Sequence, residues 1–147
     1  MKQSDINKPV LTLDISCIIS FLFILNNMNQ FTNMNDRFII IFTLSFLSLY
    51  FIGRTFSITN LFPIFHVLWG ITMILIPLST NNRLILFYHL CIILFTLSTR
   101  RIFKGCIIRN LETKKESISN NSFTKKIKWD LLFPVLGFIS AYKLYIK

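Results

Sequence analysis

Long apolar stretches that contain no charged residue are the feature that most constrains this chain. Residues 38–53, 55–82 and 84–99 contain no Asp, Glu, Lys or Arg, and single arginines separate them. A helix on the surface of a soluble protein needs a charged or polar face opposite its apolar stripe. The pattern therefore predicts helices that cross a lipid bilayer.

The overall composition supports a membrane location. Hydrophobic residues make up 53% of the 147 residues and charged residues only 15%, although a globular domain usually has about a quarter charged residues. The net charge is +10, which in a soluble protein would indicate nucleic acid as a partner. Here the basic residues flank apolar runs, so we expect contacts with lipid headgroups and no nucleic acid.

The lengths of the apolar stretches predict the number of spans. A transmembrane helix needs roughly 20 apolar residues, with about 17 as the low end. The sequence predicts one membrane domain, 1–147, with spans at about 10–25, 37–54, 61–78, 83–102 and 129–145. The predicted fold class is all-α: a polytopic integral membrane helical bundle of about five transmembrane helices plus one interfacial amphipathic helix.

The interfacial helix is predicted at the start of a basic loop, 103–128. Apolar residues recur there at helical spacing with Arg and Lys between them, which is typical of a helix lying in the headgroup region. The residues predicted to dock lipid headgroups or a partner are Arg100, Arg101, Lys104 and Arg109.

The distribution of basic residues predicts an orientation. With five spans, most Lys and Arg residues lie on the side of the N-terminus and the 103–128 loop. The positive-inside rule assigns that side to the cytoplasm, or to the matrix in an organelle. The abundance of Phe, Ile, Asn and Lys suits an AT-rich genome and leaves a mitochondrial inner membrane and a viral or host membrane as alternatives. No cleaved signal peptide is expected.

Ionisable residues inside predicted spans are candidates for function because they are costly to bury in a bilayer. Asp14 and His66 are expected at similar depth on the basic side, where they could form a polar pair or a proton relay. The alternative is structural: Asp14 reaches toward Lys8 or Arg54, and His66 bonds a backbone carbonyl.

Histidines on adjacent predicted spans raise the question of haem ligation. His66 and His89 enter from opposite sides, so at 1.5 Å rise per residue they should differ in depth by roughly 12 Å. One iron cannot bridge that distance, but either histidine remains a candidate ligand for a haem shared with another subunit. Apart from that alternative we expect no cofactor, and no metal site.

Gly70 and Gly137 both lie in the middle of predicted spans. Small residues at such positions let a neighbouring helix approach closely. We therefore predict a helix–helix contact at each of them.

Cys106 follows the fourth span and lies near Arg and Lys. A juxtamembrane cysteine in that setting is a candidate for acylation, and the alternative is an ordinary cysteine on an apolar helix face. The chain has three cysteines and no Cys-x-x-Cys pair, so no disulfide framework is predicted.

The segment that starts at Cys106 also carries a resemblance. Cys106, four residues, then Leu111-Glu112 after a His-containing span is similar to small multi-spanning membrane protein families of bacteria and viruses. This chain lacks the Pro and Thr that accompany that ending. The resemblance implies a multi-spanning fold, and because those families have no established activity it implies no function.

Several catalytic patterns are missing from the sequence. We find no Gly-rich phosphate loop, no His-Glu-x-x-His and no nucleophile elbow. The sequence therefore predicts a non-catalytic accessory or scaffold subunit of a larger membrane assembly, such as a respiratory complex or a viral internal membrane. The first alternative is a membrane anchor subunit that binds haem or quinone through His66 or His89. A small transporter or channel ranks lowest.

Overall fold

The chain is helical throughout the part that is described. The computed structural model describes residues 3–103, 106, 108 and 129–146, with side chains from Lys8 onward. Five long helices and one 3-10 helix form within these residues, with no strand among them. In chain order the long helices are α1 Gln3–Asn26, α2 Met34–Thr55, α3 Leu61–Ser79, α4 Arg83–Ile102 and α5 Trp129–Ile146.

All five helices are long and apolar enough to cross a membrane. This result confirms the prediction of an all-α chain with five helices compatible with membrane spans, and it indicates an integral membrane protein. The predicted interfacial helix falls almost entirely outside the described residues. So do Lys104 and Arg109.

Asparagine caps define where two of the helices begin. The Asn33 side chain accepts a hydrogen bond from the Asn35 backbone N–H at 3.2 Å, so α2 starts at Met34, slightly before the predicted boundary at 37. The Asn82 side chain accepts from the backbone N–H of Leu84 at 3.0 Å, and α4 starts at Arg83 as predicted. Asn oxygens satisfy backbone donors that the first turn leaves unpaired.

Consecutive helices pack as antiparallel neighbours, so the bundle has two distinct ends. We call the end that holds Arg54, Arg100 and Arg101 the basic end, and the end that holds Asp36 and Lys143 the opposite end. The most extensive contacts join α4 to α5 and α2 to α3, whereas α1 packs chiefly on α2. Short connections favour this up-and-down arrangement from α1 to α4.

The interior contains two apolar clusters. The larger one centres on aromatic side chains of α2 and α3, where the rings of Tyr50 and Phe65 lie 4.9 Å apart. The smaller one joins three helices through Met73 of α3, Ile93 of α4 and Phe133 of α5. The clusters place α3 between the two halves of the bundle.

The two mid-span glycines differ in what surrounds them. A Cβ atom on Gly137 would lie 3.3 Å from Ile93 Cγ2, so this glycine lets α5 approach α4 closely. A Cβ atom on Gly70 would meet no atom within 4 Å in the described part of the chain. The predicted helix contact is confirmed at Gly137, whereas no described part of the chain makes such a contact at Gly70.

The outer surface carries many large apolar side chains. On α1 they include Ile19, which is 62% exposed, and on α5 Phe138, which is 70% exposed. Only 22% of the residues in the spans of α1 and α5 are buried, against 39% in α2 and α4. Such surfaces suit contact with lipid tails or with apolar partner helices.

Candidate functional site

Asp14 joins α1 to α2 near the basic end. Its Oδ1 accepts a hydrogen bond from Arg54 Nε at 3.0 Å and its Oδ2 one from Arg54 Nη2 at 2.9 Å. The Tyr50 hydroxyl also donates to Oδ1. Both carboxylate oxygens are therefore bonded, by a bidentate guanidinium contact that fixes geometry as well as charge.

His66 lies on α3, also near the basic end, and contacts Cys106. The Cys106 Sγ and His66 Nε2 atoms are 3.4 Å apart, a sulfur–nitrogen hydrogen-bond distance. Cys106 is partly buried. The contact links the start of α3 to the chain that follows α4.

The predicted relay between Asp14 and His66 is not a direct contact among the described side chains. Asp14 bonds Tyr50 and Arg54, while His66 is brought to Cys106. The Asp14–Arg54 pair matches the structural alternative considered from the sequence. The sequence missed Tyr50 as a partner, because a tyrosine in an aromatic-rich span gives no signal of where its hydroxyl points.

His89 occupies a fully buried position where three helices meet. Its Nε2 lies 2.9 Å from the Met73 carbonyl oxygen of α3, and its Nδ1 lies 2.7 Å from the Ser140 hydroxyl of α5. A carbonyl can only accept, so Nε2 carries the proton and Nδ1 accepts from the hydroxyl. The His89 side chain is 0% exposed.

The haem hypothesis can be tested against these contacts. A haem iron binds an imidazole through an unprotonated ring nitrogen. Nδ1 of His89 already accepts a hydrogen bond from the Ser140 hydroxyl, and Nε2–H donates one to the Met73 carbonyl oxygen. His89 therefore does not fit a haem in this arrangement. Within the described residues no group of three or more His, Cys, Asp and Glu side chains could hold a metal ion.

A further polar link at the opposite end was missed by the sequence analysis. The Thr80 hydroxyl donates to Asp36 Oδ1, and Lys143 Nζ donates to the Thr80 backbone carbonyl at 3.2 Å. Asp36 is only 5% exposed. It was overlooked because it precedes the first residue of the predicted span, and only the Asn33 cap places it inside the first turn of α2.

The basic residues predicted to dock headgroups are placed differently from one another. Arg100 pairs with Asp130, with Nε 2.9 Å from Oδ1, and so joins the end of α4 to the start of α5. The Arg101 side chain is exposed beside it. Contact of either arginine with lipid stays a prediction.

A cavity of about 450 Å³ lies between α1 and α4, with α2 and α3 as its floor. It is partly open, and apolar side chains form most of its lining. At the basic end it reaches Arg100 and Cys106. Toward the opposite end it reaches Phe23 and Tyr88, whose rings stack with centroids 5.1 Å apart. We refer to this cavity as the α1–α4 groove.

No protein-family model, no curated protein and no solved structure matches the chain.

Proposed function

We propose that this chain is a non-catalytic accessory or scaffold subunit of a larger membrane assembly. The observation that carries the proposal is how four of the described ionisable side chains are used. Asp14, Asp36, His89 and Arg100 each bond a group on a different helix or connection. Of these four only Arg100 also lines the α1–α4 groove, whereas a proton pathway or the catalytic centre of an enzyme would gather several such groups around one cavity.

The outward-facing side chains support the same proposal. The described surface of the helices carries many large apolar side chains that are exposed, and such a surface is available to neighbouring helices. The two least buried helices, α1 and α5, are the first and last long helices of the described chain. We expect neighbouring subunits to pack against them. Van der Waals packing between apolar helices is the usual basis of such contacts in a bilayer.

We also propose that the basic end faces the cytoplasm, or the matrix of an organelle. The support comes mainly from the sequence, because most of the charge asymmetry lies in the 103–128 loop. A protease site inserted at Ser119 should be cleaved in sealed vesicles only when that side is outward. Cleavage from the other side alone would reverse the assignment.

Photocrosslinking in the native membrane tests the scaffold proposal. A photoreactive amino acid is placed at Leu22 of α1 and at Phe138 of α5, which are 53% and 70% exposed. A scaffold subunit should give discrete protein adducts, at a fixed ratio to the chain, from at least one of these positions. Ile24, which is 0% exposed on α1, is the matched control and should give no adduct to another protein.

Two outcomes of this experiment count against the proposal. Adducts to lipid alone from both outward positions would indicate a chain that works by itself. Loss of the assembly's turnover in His89→Gln, with adducts and stoichiometry unchanged, would instead favour the anchor subunit, in which His89 handles a cofactor or a proton.

A further inference from the structure

Cys106 and His66 bring a thiol into contact with a histidine base beside a cavity, and the scaffold role does not use this chemistry. The Sγ–Nε2 distance of 3.4 Å lets His66 accept the thiol proton when its own proton is on Nδ1. A cysteine beside a histidine base is the usual arrangement of an activated thiol. The pair is therefore equipped for acyl transfer to sulfur.

The α1–α4 groove begins at this pair. Cys106 is part of its lining, together with Arg100 at the basic end. The lining continues along α4 from Arg100 to Phe87, a distance of about 20 Å at 1.5 Å per residue. A groove with this extent and a volume of about 450 Å³, apolar along most of its wall, can hold one long saturated chain.

The groove and the thiol together point to one occupant. We propose that Cys106 is S-acylated with a long fatty acyl chain, that His66 is the base for its own acylation, and that the chain lies in the α1–α4 groove. The donor is a long-chain acyl-coenzyme A thioester. This inference goes beyond the scaffold role, because it concerns a covalent modification and does not require a partner.

The reaction balances without an oxidant or a reductant. His66 Nε2 takes the proton from Cys106 as Sγ attacks the acyl carbonyl carbon. The new Sγ–carbon bond forms, the bond from that carbon to the sulfur of coenzyme A breaks, and His66 returns the proton to the leaving thiolate. One thioester replaces another, and the acyl tail moves from the donor into the groove.

Cys91 provides a matched control for the thiol. It lies on α4, is exposed, and also lines the groove, so it samples the same lipid environment without being the cysteine that meets His66. Full-length chain in phospholipid vesicles is incubated with alkyne-tagged palmitoyl-coenzyme A. We expect a label on wild type that hydroxylamine removes, no label on Cys106→Ser, and an unchanged label on Cys91→Ser.

His66 variants separate a base from a structural neighbour. His66→Gln should slow labelling by about 10²-fold, a common contribution of a positioned general base. His66→Ala should be slowed similarly and partly restored by added imidazole, which can replace a missing base but cannot repair a misplaced helix. An unchanged rate in His66→Gln would remove His66 from the reaction.

Two serines test where the acyl chain lies. Ser16 lines the groove on α1 and bonds its own helix at the Leu13 carbonyl, 2.8 Å away. Ser48 is exposed on α2 and bonds its own helix at the Leu44 carbonyl, 2.9 Å away. Ser16→Phe should fill the groove and lower labelling at least several-fold, while Ser48→Phe should not.

Specific results would overturn the inference. A label on Cys91, or no label on vesicle-embedded wild type, would reject self-acylation at Cys106. Equal labelling of the two phenylalanine variants would place the chain outside the groove. A hydroxylamine-resistant lipid bound to Cys106→Ser as strongly as to wild type would make the occupant a free lipid. None of these outcomes bears on the crosslinked adducts that test the scaffold role.

Discussion

Asp14 and His89 are both ionisable residues inside membrane spans, yet they are held in opposite ways. The Asp14 side chain is 26% exposed and pairs with Arg54, whose side chain is 39% exposed. His89 is 0% exposed and bonds only neutral groups, the Ser140 hydroxyl and the Met73 carbonyl. The first site lies near the basic end, and the second is enclosed by three helices.

The difference shows what exposed and enclosed positions of a bundle tolerate. At a partly exposed site, headgroups and water lower the cost of a charge, so a carboxylate can be kept with a cation beside it. At a site enclosed by helices, a polar side chain is retained only when all its hydrogen-bonding atoms are satisfied without a net charge. The comparison predicts that the buried link contributes more stability than the exposed one.

Removing the buried link should have the largest effect. His89→Leu leaves the Ser140 hydroxyl and the Met73 carbonyl without their partner, and we expect a loss of about 3 kcal/mol in the free energy of unfolding. The measurement is reversible unfolding in mixed micelles. Phe87→Leu, on the same helix at a side chain 55% exposed, is the control and should be nearly neutral. Equal effects would mean that the link does not hold the helices.

A larger side chain at the point where α5 approaches α4 should have the second largest effect on stability. Gly137→Leu forces a side chain into the space occupied by Ile93, where even a Cβ atom would lie at 3.3 Å, and overpacking of this kind costs about 2 kcal/mol. Gly70→Leu adds the same atoms on a face with no described neighbour within 4 Å. It should be neutral or slightly stabilising, since leucine favours helix more than glycine. If Gly70→Leu lowers the free energy of unfolding more than Gly137→Leu does, the assignment of Gly137 to the contact with α4 is wrong.

Breaking the charged pair at the basic end should have a smaller effect. Asp14→Asn keeps a hydrogen-bond acceptor for Tyr50 but removes the charge opposite Arg54, and exposed pairs contribute about 0.5–1 kcal/mol. A double-mutant cycle with Arg54→Gln should give a coupling energy of that size that shrinks at high salt. A coupling energy as large as the His89→Leu effect would erase the difference between the two sites.

The Arg100–Asp130 pair should have the smallest effect of all. The Asp130 side chain is 80% exposed, so solvent screens the interaction strongly. We expect Asp130→Asn to change the free energy of unfolding by less than about 0.5 kcal/mol. A larger loss would show that the association of α4 with α5 depends more on the charged pair at their ends than on apolar packing.

The spans could be predicted from the sequence because hydrophobicity and length alone decide which segments cross a bilayer. The predicted helix ends lie close to the observed ones. The fourth helix begins at Arg83, as predicted, and the second ends at Thr55, one residue past the predicted boundary. The start of α2 was harder to place, because a cap by Asn33 is a local hydrogen bond that an apolar run does not reveal.

Side-chain partners could not be predicted in the same way. Asp14, His66 and His89 were found because ionisable residues stand out in apolar spans, but hydrophobicity carries no information on helix rotation. That rotation brings Tyr50 to Asp14 and Ser140 to His89. It also turns Gly137 toward α4 and leaves Gly70 without a described neighbour within 4 Å of a Cβ atom. Only the packed bundle determines these contacts.

Replacing His89 with glutamine tests the central claim most directly, because glutamine is neutral and has both a donor and an acceptor. If His89 is a structural link, His89→Gln should retain most of the stability that His89→Leu loses, and the assembly should be recovered from membranes at wild-type stoichiometry with unchanged turnover. A stable, fully assembled His89→Gln complex that has lost its turnover would contradict the account and make His89 a functional group.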